Sequence, residues 1–218
     1  MSPGRLVFFL SVCALGLLWS FVVFTVDVTR FEYRNLIASI RAGEQPPSRR
    51  ALADAITAYG STLHIASCSA ALHQDMALLL GARTDAAMSS GTVDEDAQLQ
   101  QTQEELAASL SCKPTDGKAW LDFATIDIYR EGFTPRALNA YRMSALVAPG
   151  ESWLAEKRLL FALQFRPLFD ANAMKIAKED LAVLKRAHPN RMHDVMKVVD
   201  IGDEASLYAV FGARPQQE

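Results

Sequence analysis

Between Leu6 and Val26 the chain has 21 consecutive residues without a charged side chain. At about 1.5 Å per residue, a helix of this length extends about 31 Å, which matches the thickness of a bilayer's hydrocarbon core. Half of the 218 residues are hydrophobic, but outside this stretch the chain is polar and mildly acidic. The sequence therefore predicts one membrane-spanning helix joined to a domain of ordinary size.

The main alternative is a signal peptide that is removed by cleavage. The apolar region of a signal peptide has about 7–15 residues and ends at a small-x-small site. Here the apolar run is longer, and it continues into Thr25-Val26-Asp27-Val28 without such a site. Lipoprotein-type cleavage before Cys13 is a second alternative, but Val12 suits that position poorly. We therefore favour an uncleaved anchor.

The sequence gives two opposing indications of topology. Only Arg5 precedes the apolar run, whereas five arginines follow it within 25 residues, and the positive-inside rule would then place the domain in the cytoplasm. However, Cys68 and Cys112 form an even pair behind an export-type segment, which favours a disulfide and an oxidising compartment. We expect a single-pass protein of the inner (cytoplasmic) membrane with a periplasmic domain, although the charge pattern favours the opposite orientation.

Helical periodicity continues beyond the apolar run. It predicts that the first helix extends through Arg41, stops at Gly43 and is followed by a break at Pro46-Pro47. Ser48 then offers a cap for a helix over residues 49–81. This second helix has apolar positions at alternating spacings of four and three: Leu52, Ile56, Tyr59, Leu63, Ala66 and Ala70. We expect a surface loop over 83–97 and a further helix over 96–112.

The two cysteines of the domain fall at similar heights in this arrangement. If helices 49–81 and 96–112 form an antiparallel hairpin, Cys68 and Cys112 face each other, and a disulfide would contribute about 4 kcal/mol. Two buried free thiols are the alternative. A zinc site that adds His64 and His73 is disfavoured, because His73 lies five residues beyond Cys68 and points well round the helix from it.

Residues 116–150 (DGKAWLDFATIDIYREGFTPRALNAYRMSALVAPG) have a different pattern. Large, small and turn residues occur there in a fixed order: Trp120, Ala124, Gly132, Ala137, Tyr141, Ala145 and Pro149. This order resembles the tetratricopeptide repeat (TPR), a helix-turn-helix unit of about 34 residues, with one extra residue in the turn. The resemblance implies that Trp120 packs as a large side chain where the two helices cross.

The small and turn residues fit the same interpretation. Ala124 and Ala137 would let the two helices approach closely. Gly132 would end the first helix, Thr134-Pro135 would begin the second with proline at a favoured position, and Pro149 would stop it.

The rest of the chain predicts further helices outside the TPR register. Trp153, Leu159 and Phe165 indicate a buried helix that Pro167 breaks, and a second helix follows as far as Pro189. One or two short helices are expected between Met192 and Phe211. We therefore predict an all-α fold of stacked antiparallel hairpins behind the membrane helix. Its segments are 1–28 (tail and anchor), 29–47 (juxtamembrane helix and linker), 48–115 (hairpin), 116–190 (TPR-like hairpins) and 191–218 (C-terminal helices and tail).

No motif indicates an enzyme, a cofactor site or a small-molecule substrate. The glycines are isolated, so no phosphate-binding loop is present, and no nucleophile lies in a catalytic motif. The carboxylate pairs Asp122/Asp127 and Glu104/Glu105 are interpreted as solvated helix faces. A net charge of −3 gives no reason to expect a nucleic-acid partner.

The leading hypothesis is a protein-interaction scaffold or accessory subunit of a bacterial cell-envelope complex. Repeat stacks bind protein segments on a concave face, and Tyr129, Arg130 and Arg142 are candidate partner-binding residues. Residues 117–186 are loosely similar to membrane-anchored accessory proteins of bacterial exopolysaccharide assembly and export. The alternatives are a structural subunit that assembles through its membrane helix, and a metal-dependent hydrolase.

Overall fold

The computed structural model describes residues 3–44, 47–88, 95–198 and 204–212. These residues form helices and their connections, without a β-strand among them, so the all-α prediction is confirmed. They divide into two compact units, within Met1–Cys112 and Lys113–Glu218. The helices of the first unit are α1 (Pro3–Ala42), α2 (Arg49–Ile65), α3 (Ala70–Met88) and α4 (Glu95–Cys112).

Helix α1 is continuous over 40 residues. Among the described residues it is the one helix long and apolar enough to cross a membrane, over Val7–Ala42. Its first half is exposed, whereas Thr29 and Ile37 in its second half are buried in the first unit. The helix ends at Ala42, where Gly43 adopts a φ of 66°. The predicted extension and glycine stop are therefore confirmed, while Pro46 of the predicted break lies outside the described residues.

The single helix predicted over 49–81 is wrong. The chain forms two helices there, because α2 closes with a hydrogen bond from Ala66 N–H to Thr62 O, and Ser69 Oγ accepts from Leu72 N–H at the start of α3. The apolar spacing continues across the break, so periodicity alone concealed it. Gly81 does not end the helix either, since α3 continues to Met88.

The remaining predictions for the first unit have mixed outcomes. Residues 83–88 and 95–97 of the predicted loop are helical, and 89–94 lie outside the described residues. Helix α4 confirms the helix predicted over 96–112. It is antiparallel to α3, since Ser109 Oγ donates to Ala70 O (3.1 Å) and Arg83 donates to Gln101 (2.9 Å).

The second unit begins with the hairpin that the sequence predicts. Its helices are α5 (Gly117–Glu131), α6 (Pro135–Val147), α7 (Ser152–Gln164), α8 (Ala171–Ala187), α9 (Pro189–Val198) and α10 (Glu204–Gly212), with a 3-10 turn at Arg166–Leu168. Gly132 follows α5 with a φ of 75°. Thr134 Oγ1 accepts from Ala137 N–H at 3.0 Å, and Pro135 occupies the first turn of α6. These helix starts and stops follow the predicted turn chemistry.

A glycine lies where helices of the second unit come closest. A Cβ atom on Gly117 would lie 2.6 Å from the Ala148 Cβ and 2.9 Å from the Leu154 Cδ2. The start of α5 therefore packs directly on the end of α6 and the start of α7, and an alanine would not fit without displacing one of them.

Candidate functional site beside the N-terminal helix

Three arginines share one face of α1 just beyond the apolar run. Arg30, Arg34 and Arg41 are separated by four and seven residues, which places them within about 60° of one another around a helix of 3.6 residues per turn. The side chains of Arg30 and Arg41 remain 43% and 51% exposed.

Two of these arginines bind a buried carboxylate on α3. Asp75 is 2% exposed. Its Oδ2 accepts from Arg30 Nε at 3.0 Å, and its Oδ1 accepts from Arg41 Nη2 at 2.7 Å. A buried carboxylate is tolerated when it is paired and hydrogen-bonded. Asp75 therefore fixes the spacing of Arg30 and Arg41 and holds α1 against α3.

Tyr59 of α2 also contacts Asp75. Its hydroxyl donates to Asp75 Oδ2 at 3.4 Å. Burial raises the Tyr59 pKa above its usual value, and the negative charge of Asp75 raises it further. The phenol therefore stays protonated and remains a donor across the whole physiological pH range.

These side chains border a cavity of about 590 Å³. We call it the basic cleft, and it is lined by Arg30, Phe31, Arg34, Ile37, Ala38, Arg41, Ala42, Tyr59 and Asp75. Three guanidinium groups face one carboxylate, so the lining has an excess of positive charge. Arg34 lies 4.5 Å from the centre of the Phe31 ring, and no carboxylate among the described residues is paired with it. Such a site can bind an anion, and it contains no nucleophile.

Sequence reasoning used these arginines only as topology signals. Their common helical face was readable from the spacing. Their pairing with Asp75 could not be predicted, because Asp75 lies 45 positions from Arg30 and 34 positions from Arg41 in the chain.

The predicted cysteine pair lies at disulfide-bonding distance, with the two Cα atoms 5.3 Å apart. The predicted position of Cys68 inside a helix is wrong, however. Cys68 lies in the turn between α2 and α3, whereas Cys112 is the last residue of α4, as predicted. The antiparallel α3–α4 hairpin brings this turn and the end of α4 together.

His73 lies beside the cysteine pair and is not arranged for zinc. Its Nδ1 lies 2.6 Å from Glu105 Oε2 and its Nε2 lies 3.0 Å from Ser67 O. Both partners are acceptors, so the geometry favours the protonated imidazole, in which both ring nitrogens donate. The Glu105 hydrogen bond is the main cause of the raised His73 pKa. The described residues contain no group of three or more side chains suited to a metal.

Most residues of the predicted repeat lie at helix contacts in the second unit. Ala124, Ala137 and Tyr141 are fully buried. The Trp120 indole is half-buried, and its N–H donates to Pro114 O at 2.8 Å. Pro149 follows α6 and is exposed.

Aromatic rings surround Tyr141. It stacks on Phe161 with centroids 5.4 Å apart, and it meets Phe169 edge-on at 4.9 Å. These rings are part of a core to which all six helices of the unit contribute buried residues. Trp153, which was expected in a buried helix, is in fact 42% exposed.

The three candidate partner-binding residues differ in exposure. Tyr129 is 65% exposed. Arg130 is partly buried and pairs with Glu131 at 3.4 Å. Arg142 is also partly buried and pairs with Asp170, whose carboxylate caps α8. Tyr129 therefore remains the most accessible of the three.

Two buried carboxylates of the second unit were not predicted. Asp127 was interpreted as part of a solvated face, but it is buried and accepts from Thr134 Oγ1 at 2.5 Å and from Arg136 Nε at 2.6 Å. It ties the end of α5 to the start of α6. The Asp127 hydrogen bond is also the main reason why the Arg136 pKa is raised.

The second is Asp180, which pairs with Arg158 in the core. Arg158 donates from Nε to Asp180 Oδ2 at 2.8 Å and from Nη2 to Oδ1 at 2.5 Å. Its Nη1 donates to Ser144 O at 3.3 Å and Ala148 O at 3.2 Å. Arg158 therefore satisfies the end of α6 and links it to α8.

No protein-family model matches this chain, and no curated protein matches it either.

Proposed function

We propose that the chain is a membrane-anchored protein-interaction scaffold or accessory subunit of a bacterial cell-envelope complex. The observation that carries the proposal is the double role of α1. Its first half exposes a continuous apolar surface, while its second half is part of the core of the first unit through Thr29 and Ile37. The Thr29 and Thr62 hydroxyls are 2.8 Å apart, which joins α1 to α2. An apolar helix built into a folded unit in this way holds that unit at a membrane.

The position of the core residues supports an anchor over a cleaved signal peptide. Thr29 lies only three residues beyond the apolar run. Cleavage between the apolar run and the folded unit would therefore fall inside α1, within a turn of a buried contact. A processing site of that kind is normally an extended and accessible segment.

We assign the folded units to the periplasmic side of the inner membrane. The disulfide-distance pair Cys68 and Cys112 supports an oxidising compartment. Their Cα separation of 5.3 Å is in the range that a disulfide needs.

The second unit supplies the proposed binding surface. It consists of packed helical hairpins, and Tyr129 and Trp153 expose large aromatic surfaces on it. Tyrosine and tryptophan are enriched among the residues that contribute most to protein–protein binding. The resemblance of residues 117–186 to accessory proteins of exopolysaccharide assembly makes polysaccharide assembly or export the proposed process.

Affinity capture of the tagged full-length protein from its native membrane, in mild detergent with mass spectrometry, tests the proposal. We expect one membrane assembly to be recovered reproducibly. The double variant Tyr129→Ala/Trp153→Ala should lose that partner. The control Lys178→Ala, which also truncates an exposed side chain of this unit, should retain it.

Replacement of residues 6–26 by an unrelated membrane helix separates this proposal from its alternative. The scaffold proposal predicts that the partner is still recovered. Loss of the partner in this variant alone would show that assembly occurs through the membrane helix. Recovery of the protein without any partner, even after crosslinking, would refute both.

A further inference from the structure

We propose that the basic cleft binds the phosphate group of an anionic phospholipid in the membrane that α1 crosses. This inference rests on the anchoring part of the proposed function, and it is independent of any protein partner. The cleft would thereby fix the depth and orientation of the first unit at the bilayer surface.

The cleft begins just beyond the apolar run of α1. Arg30 and Arg34 follow Val26, the last residue of the apolar run, by four and eight residues. At about 1.5 Å per residue they lie about 6 and 12 Å beyond the hydrocarbon core. The headgroup layer is about 5–8 Å thick on each side, so on an upright helix Arg30 lies within it. Arg34 lies about 4 Å or more beyond the layer and reaches it only through its long side chain, which points back toward the N-terminus of α1.

The arginines that line the cleft are suited to a phosphate group. A guanidinium group binds phosphate through paired N–H donors. Arg34 is exposed and has no carboxylate partner among the described residues. Arg30 and Arg41 each give Asp75 one hydrogen bond in the structure and keep further N–H groups on half-exposed side chains.

The neighbouring carboxylate does not cancel this charge. Asp27 lies on the same side of α1, one turn nearer the apolar run, and it is not part of the cleft lining. When it is counted with Asp75, the three arginines still leave a positive excess. An anion is therefore favoured at this height.

Apolar residues beside the cleft favour a lipid over a soluble anion or an acidic protein segment. Phe31 borders the cleft and is 66% exposed. Val23, two turns before Arg30 on the same face, is also exposed. A lipid would place its phosphate on the arginines and its acyl chain along this face, so that one molecule contacts both parts, whereas a soluble anion would contact the arginines alone.

Native mass spectrometry of the full-length protein in detergent, titrated with phosphatidylglycerol or phosphatidylcholine, tests the inference. We expect phosphatidylglycerol to bind more tightly. Because one arginine near a membrane surface contributes about 1 kcal/mol, Arg34→Gln should weaken phosphatidylglycerol binding about five-fold. The matched control is Arg50→Gln, which removes an exposed arginine of the same unit outside the cleft. It should bind like the wild type, and circular dichroism should confirm that both variants are folded.

Three results would overturn the inference. The first is equal binding of the two lipids to the wild-type protein. The second is an equal loss in Arg34→Gln and Arg50→Gln, which would show diffuse surface attraction. The third is displacement of the lipid by millimolar inorganic phosphate, which would assign the cleft to a soluble anion. Failure of the anchor itself is distinguishable, because the protein would then be released from membranes by alkaline extraction.

Discussion

Removal of the Arg158 guanidinium is expected to destabilise the second unit more than any surface change. The Arg158 side chain is 0% exposed and the Asp180 side chain 4%. In Arg158→Met the Asp180 carboxylate would be left buried without its partner. Ser144 O and Ala148 O at the end of α6 would also lose the hydrogen bonds from Arg158 Nη1, although Ser144 O keeps the one from Ala148 N–H. Breaking a buried ion pair in this way costs about 3–5 kcal/mol.

The size of this effect is large relative to the stability of such a unit. Domains are stable by only about 5–15 kcal/mol. For a unit of this length 1 kcal/mol corresponds to about 4 °C in Tm, so the expected decrease is about 10–20 °C. Tryptophan fluorescence can follow the transition in a Trp19→Phe background, because Trp120 and Trp153 then report on the second unit alone.

The double variant Arg158→Met/Asp180→Leu is the control. Replacing both partners by apolar side chains removes the unpaired charge, so we expect at least about half of the lost stability to return. If Arg158→Met lowers the free energy of unfolding by less than about 1 kcal/mol, or if the double variant is as unstable as the sum of the single variants, the proposed role of the pair is refuted.

Three further predictions concern packing, pH and the cysteine pair. Gly117→Ala should lower the free energy of unfolding by about 1–3 kcal/mol. Gly150→Ala, where a Cβ would meet open space, should be nearly neutral. Equal effects of the two substitutions would contradict the close packing at Gly117. Because the folded-state pKa of His73 is raised, its stabilising effect is complete below about pH 6.5 and is lost as the pH rises through the folded pKa. Thermal melts between about pH 6 and 9 should therefore show a decrease that His73→Gln reduces, and an unchanged pH profile in that variant would contradict the assignment. Cys112→Ser should lower the stability by about 4 kcal/mol, and thiol labelling that finds Cys68 and Cys112 free would refute the disulfide.

The sequence predicted most reliably where local chemistry determines the backbone. Gly43 and Gly132 end helices with positive φ, and Thr134 with Pro135 begins α6. Each of these signals acts within one helical turn, so a single sequence contains all the information needed.

The prediction failed where two local signals competed. The apolar seam from Leu52 to Ala70 keeps its phase across the break between α2 and α3, so periodicity favoured one helix. Ser69 caps the start of α3 at this break, and Ser67-Cys68-Ser69 was the available signal. Cys68 and Cys112 were therefore paired correctly, although the helix predicted around Cys68 was wrong.

The buried ionic contacts were out of reach of sequence reasoning. Aspartate and arginine are usually solvated, so the sequence gives no sign that Asp75, Asp127 and Arg158 are buried. Their partners lie between 7 and 45 residues away in the chain. Only the packed helices show that Asp127 and Arg158 stabilise the second unit, and that Asp75 stabilises the first and lines the basic cleft.

Both proposals depend on the apolar half of α1 remaining attached to the folded units in the membrane. Intact-mass measurement of the protein from native membranes, after alkaline extraction, tests this most directly. We expect the full chain of 24.0 kDa to remain in the membrane pellet. A shorter chain that begins beyond the apolar run and is released into the soluble fraction would contradict the anchor, and with it the scaffold at the membrane and the lipid-binding cleft.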